Sequence, residues 1–144
     1  MKKTVLSVLA LSALVFACKK DKDDNNGLSE QALLGKWEMK VQYRNVVTNN
    51  IGKRDTLVIP EGLQAWEFLK NGIIVRHGRS VGGVTRDTGF FKLNGSNVII
   101  TEEGATKGDT TKITQFANTE LQAYKKLINS STKYTEFWFN YKKQ

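Results

Sequence analysis

The stretch "KWEMKVQYR", Lys36 to Arg44, places Trp37, Met39, Val41 and Tyr43 on one side and Lys36, Glu38, Lys40, Gln42 and Arg44 on the other. Strict alternation with a period of two marks a strand with one buried and one wet face. "WEFLKNGIIVRHG" sets Asn71-Gly72 between two strand-like runs, a hairpin signal because both residues tolerate positive φ. "GFFKLNGSNVIITEEG" repeats the scheme with a longer turn at Asn94 to Asn97, and further runs follow at "TKITQF", "ELQAYKKL" and "YTEFWFNYKK". "TLVIP" adds a short strand ended at Pro60, the only proline. Helical periodicity is confined to "LSEQALLG", where Ser29 can cap one turn and Gly35 can stop it. Eight to ten short strands joined by turns imply an all-β fold, either a sandwich or a closed, antiparallel up-and-down β-barrel. Closure removes the sticky edges that an open sheet would expose.

Of the 144 residues 40% are hydrophobic, 10% aromatic and 25% charged, which suits one domain with one core. The formal charge is +8, falling by two to +6 without Lys2 and Lys3, and its basic residues are spread along the whole chain. That describes a soluble basic surface and argues against nucleic acid, whose partners gather cations on one element. Catalysis needs a nucleophile with its base, paired carboxylates or a metal nest. His77 is the only histidine and Cys18 the only cysteine, so a triad or an ordinary zinc site is hard to assemble. Glu102 and Glu103 are adjacent, and a strand sends neighbours to opposite faces. The expectation is a protein that is not an enzyme and uses no metal or cofactor.

Two features have more than one reading. In "RHGRSVGGVTR", Arg76, His77, Arg79 and Arg86 surround a glycine pair. They form either an anion-gripping loop, with guanidiniums and backbone amides meeting a carboxylate or phosphate, or a mobile hairpin tip kept soluble by charge. The absence of a Walker lysine and of a following helix favours the tip. In "YTEFWFNY", Phe137, Phe139 and Tyr141 share one face, while Trp138 falls on the polar side with Tyr134, Glu136 and Asn140. Trp138 either packs beneath the N-terminal helix or marks a contact surface, and the helix's need for a partner favours packing.

Ahead of the strands, Lys2 and Lys3 precede the apolar run "TVLSVLALSALVFA", and small Ala17 stands just before Cys18. This is the layout of a secretory signal, residues 1-17. Its apolar run of about 14 residues falls short of the ~18 to 20 that cross a bilayer as a helix. A lone cysteine has no disulfide partner within the chain, and the charged "KKDKDDNNG" that follows gives a thiol nothing to pack against. Val15-Phe16-Ala17-Cys18 resembles the lipobox of bacterial lipoproteins, whose cysteine is diacylated and becomes the first mature residue. The resemblance implies lipid attachment at Cys18 and a membrane as partner, in the bacterial cell envelope as an outer membrane lipoprotein facing the periplasm or the surface. Lys19, Lys20 and Lys22 cancel Asp21, Asp23 and Asp24, so residues 18-27 read as a charge-neutral, solvated tether ahead of a domain at 28-144.

"LLGKWEM" carries Gly35-Lys36-Trp37, similar to the Gly-x-Trp that opens the first strand of lipocalins. The order "WEFLKNG", "TGFFKLNGSNVIIT", "TKITQFANTELQAY" resembles the small lipocalin-like lipoproteins common in Bacteroidetes, over most of Leu33 to Tyr141. The resemblance implies a barrel with a short helix before its first strand and, in many relatives, a cavity for a small hydrophobic molecule. The resemblance implies that Trp37 packs at the closed end, where classical lipocalins cover the tryptophan with an arginine near the last strand; "NYKKQ" offers Lys142 or Lys143 instead. The reading is a membrane-anchored barrel that binds a small apolar or amphipathic ligand, with Trp37, Met39, Val41, Tyr43, Trp66, Phe68, Phe91, Phe137 and Phe139 inward. The alternative is a barrel filled by those same side chains, an interaction or structural module of the envelope with no small-molecule ligand. Interior volume separates the two: eight strands can just be filled by side chains whereas ten leave a void, so a dry cavity of ~300 Å³ or more favours the ligand and a packed interior rejects it.

Overall fold

The computed structural model describes residues 27–144. The expected signal, Cys18 and nearly all of the tether lie outside those residues. Nine strands are found in the described part: β1 (Gly35–Thr48), β2 (Ile51–Val58), β3 (Gln64–Leu69), β4 (Ile73–Ser80), β5 (Gly83–Asn94), β6 (Asn97–Glu102), β7 (Asp109–Phe116), β8 (Glu120–Ser130) and β9 (Lys133–Lys143). All pair antiparallel in the order β2-β1-β3-β4-β5-β6-β7-β8-β9, and β9 returns to pair with β1. Eight strands thus close a barrel, as the up-and-down reading expects, and β2 is an addition to it.

The turns follow their residues. Asn71 and Gly72 adopt φ of 64° and 70° between β3 and β4, so the hairpin expected there forms around a single 3-10 turn, Lys70–Gly72. Asn49 and Asn50 do the same (50° and 64°) between β1 and β2. The turn at Asn94 to Asn97 is tighter than expected: these two residues pair directly, leaving only Gly95 and Ser96 between them. The strand expected at "TLVIP" is longer and begins at Ile51.

A short helix, α1 (Glu30–Leu33), closes one end. Ser29 caps it by accepting from the Ala32 amide at 3.1 Å, and Gly35 leaves it at φ 116°. Trp37 is wholly buried there and donates its indole N–H to the Leu33 carbonyl at 2.6 Å. Lys143 supplies the covering cation: its Nζ lies 5.1 Å from the Trp37 ring centroid and donates to the Ala32 carbonyl at 3.2 Å. Phe68, Ile74, Val98 and Leu121, each under 2% exposed, fill the barrel around it.

The register holds one correction of consequence. Met39 pairs with Tyr141 and Val41 with Asn140, so Lys40 is an unpaired bulge. An extra residue inverts every later side chain on β1. Val41 and Tyr43, expected inward, therefore share the outer face with Asn140 and Trp138, while Gln42 and Arg44 join Phe139 and Phe137 on the inner one. The bulge lies where β1 changes partner, from β3 at Gly35 to Glu38 to β2 at Val41 to Thr48. Ile59 donates to the Lys40 carbonyl at 2.9 Å at that crossover. Glu38, 4% exposed, ties it down by accepting from the Gly62 amide at 2.8 Å, Gln144 Nε2 at 2.9 Å and Lys40 Nζ.

Candidate functional site

The barrel is packed at the α1 end and hollow toward the other. A cavity of about 250 Å³ is lined by Met39 from β1, Trp66 from β3, Ile100 from β6, and Phe139 and Tyr141 from β9. The Trp66 and Tyr141 rings face each other at 4.9 Å. An adjoining space of about 320 Å³ shares Met39, Trp66, Arg76 and Glu102 and extends along β4 and β5 to Gly78, Thr85 and Asp87.

The cavity wall is also charged. Arg76 donates to Glu102 at 2.9 Å, and Lys125 pairs with Asp109; all four line the cavity, with Lys107 and Thr111 beside them. Arg76 and Glu102 keep 33% and 65% of their side-chain surface, so the pair reaches water. Such an exposed pair exchanges partners at a cost of about 0 to 1 kcal/mol, and either member can turn to an incoming group. Tyr141 is 2% exposed and its hydroxyl has no partner among the described residues. Burial pushes its phenol well above the ordinary range, so it stays a donor.

Of the residues expected to face a ligand, Met39, Trp66 and Phe139 line the cavity. Trp37, Phe68 and Phe91 are inside but belong to the closed-end core, at 0%, 1% and 5% exposure. Phe137 stacks on Phe139 at 5.9 Å beyond the lining residues, and Val41 and Tyr43 are outside for the reason given. Arg76, His77, Arg79 and Arg86 do not converge as one anion loop. They sit on a paired hairpin, where Arg76 faces inward to Glu102 while His77, alternate to it, bonds Glu67 at 2.8 Å and pairs with Arg86. Trp138 is not beneath α1: it stands on the outer face between Tyr43 and Tyr124, 5.4 Å from the Tyr124 ring. Ile100, Glu102, Asp109 and Lys125 are lining residues that the alternation of "VIITEE", "DTTKI" and "QAYKK" carries but that do not stand out by type.

No protein-family model and no curated protein matches the chain. Solved structures do. A lipocalin-like protein from Bacteroides uniformis superposes with a TM-score of 0.51 at 14% identity, covering 78% of this chain and 99% of that one. The fold is lipocalin-like. Apocrustacyanin C1 gives 0.58 at 15% identity, and lobster apocrustacyanin A1 gives 0.53 at 16%; each match covers 85% of this chain and 66% of the other. Identities this low establish the lipocalin-like fold and leave function to the site.

Proposed function

We propose that this protein is an envelope lipoprotein, lipidated at Cys18, whose lipocalin-like barrel binds a small amphipathic molecule. The observation that carries the ligand reading is the cavity's division: an apolar body of Met39, Trp66, Ile100, Phe139 and Tyr141, with the Arg76–Glu102 and Lys125–Asp109 pairs on the same wall. A molecule with an apolar body and a polar or charged head satisfies both parts, whereas a wholly apolar one leaves the charges facing hydrocarbon. The filled-barrel alternative describes the closed half, where Trp37 and Phe68 leave no space.

Native mass spectrometry of detergent-free protein lacking its leader tests the ligand. A bound small molecule, lost when Ile100→Trp fills the cavity of a still-folded protein, supports the reading. An empty protein that also fails to take up an added anionic amphiphile rejects it. Anchoring is supported by the lipobox-like Val15 to Cys18. Cys18→Ser should move the protein from membranes to the soluble fraction, and unchanged membrane association rejects lipidation there.

A further inference from the structure

Past the bulge, β2, β1, β9 and β8 run side by side, and their registers align the outer-face residues in transverse rows. One row is Thr56, Tyr43, Trp138, Tyr124 and the next is Arg54, Asn45, Glu136, Lys126. A groove of about 320 Å³ opens over the first row, lined by Tyr43, Arg54, Thr56 and Trp138 and bordered by Arg44 and Asp55, whose side chains belong to the opposite face. None of these lines the barrel cavity.

The groove is built from beneath. Glu136 accepts from Asn45 Nδ2 and from the Tyr124 hydroxyl, both at 3.0 Å, and Tyr124 braces the Trp138 ring. The aromatic floor is held in place yet open to water, with Tyr43 41% exposed. On the opposite face Arg44 and Asp55 spend their charges on each other, Arg44 Nε donating to Asp55 Oδ2 at 3.1 Å. Arg54 makes no ion pair among the described residues, so its guanidinium is the cation of the groove lining left free to meet a ligand, while Glu136 in the neighbouring row is held by Asn45 and Tyr124.

We propose that this groove is a second binding site, for a carboxylate-bearing pyranose such as a uronic acid unit of a glycan. A pyranose presents an apolar C–H face, which the electron-rich faces of Trp138 and Tyr43 attract, and a hydroxylated rim that stays hydrated. A flat apolar ring would gain more from the enclosed barrel than from a wet groove. The charge of Arg54 selects the acid, through a fork that matches a carboxylate. Thr56 offers a hydroxyl to the sugar rim.

The test is titration of the ¹⁵N-labelled protein with digalacturonate and with the neutral digalactoside. The three indole N–H signals separate the sites: Trp138 should shift while Trp66, in the cavity, stays. Arg54→Ala, on the exposed β2, should weaken the acidic sugar about tenfold or more and leave the neutral one unchanged. Arg54→Glu should abolish acidic binding with the spectrum otherwise intact. No Trp138 shift at high sugar concentration, a shift of Trp66 in its place, or equal affinity for both sugars would each overturn the proposal.

Discussion

Replacing Trp37 with phenylalanine tests whether the closed end carries the stability of the barrel. The change removes the N–H that donates to the Leu33 carbonyl at 2.6 Å and leaves that carbonyl buried and unpaired. A buried polar group without a partner costs about 1 to 3 kcal/mol. Phenylalanine is roughly 40 Å³ smaller, and at ~24 cal/mol per Å³ the unfilled space adds about 1 kcal/mol. The expected loss is therefore about 2 to 4 kcal/mol, a large part of the ~5 to 15 that holds a domain folded. Equilibrium urea unfolding measures it: the midpoint should fall while the slope stays, since the folded and unfolded surfaces barely change. Lys143→Ala removes the cation over the indole and its bond to Ala32. Both residues pin α1, so a double-mutant cycle should show coupling of about 0.5 to 1 kcal/mol. A Trp37→Phe cost under ~1 kcal/mol, or strict additivity with Lys143→Ala, would refute this account of the closed end.

Lys143→Arg should hold or raise the urea midpoint, because a planar guanidinium covers an indole face better than an ammonium; a clear drop would show that the single-point bond to Ala32 matters more than ring coverage. Lys40 above all holds the Glu38 carboxyl below its ordinary pKa, outweighing the opposing effect of burial. The stabilisation is thus present above the unfolded carboxylate's value of about 4.3 and is lost as pH falls through the lower folded value. Glu38→Gln should flatten the acid limb of the stability profile there, and an unchanged limb would assign it to other groups. Tyr141→Phe deletes a buried hydroxyl with no partner among the described residues and should be neutral or stabilise by up to about 1 kcal/mol without ligand; a loss in thermal unfolding would reveal a partner in solution. Asn50→Gly, at φ 64°, should raise the melting temperature slightly by relieving a left-handed residue, and a fall would mean that the Asn side chain supports the turn.

Strand-forming runs, turn residues and the Gly35-Lys36-Trp37 start were legible because each depends on neighbours in sequence. The alternation of Trp37, Met39, Val41 and Tyr43 reported burial for the first pair alone, since a single unpaired residue at Lys40 moves the second pair to the outer face, where Tyr43 is exposed. Nothing in the type of Lys40 announces a bulge; it is fixed by where β3 gives way to β2 along β1, a tertiary event. The same holds for Trp138. Its place on the polar face was readable, but its neighbours Tyr43 and Tyr124 come from strands chosen by barrel closure. Arg76 and His77 looked like one cluster in sequence, and pairing on both edges of β4 forces them to opposite faces. The ion pairs on the cavity wall were hidden because Glu102, Asp109 and Lys125 look like ordinary surface charges until closure turns one face of each strand inward.

Unequal strand lengths explain why the two ends of the barrel differ. β3 and β6 have 6 residues each, whereas β1 has 14 and β8 and β9 have 11. The long β1, β8 and β9 therefore outrun β3 and β6 at the end away from α1, where β2 extends them into a four-stranded sheet. On its inner face Gln42, Arg44 and Lys125 occupy positions that continue the core rows of Phe139 and Phe137. Leu57 and Leu127, which do face that side, remain 55% and 41% exposed. Packing energy must then come from the α1 end, while the open end is free to carry charge, exposed aromatics and a cavity. Substitutions around Trp37 should change stability with little effect on ligands, and those around Arg76 or Arg54 should do the reverse.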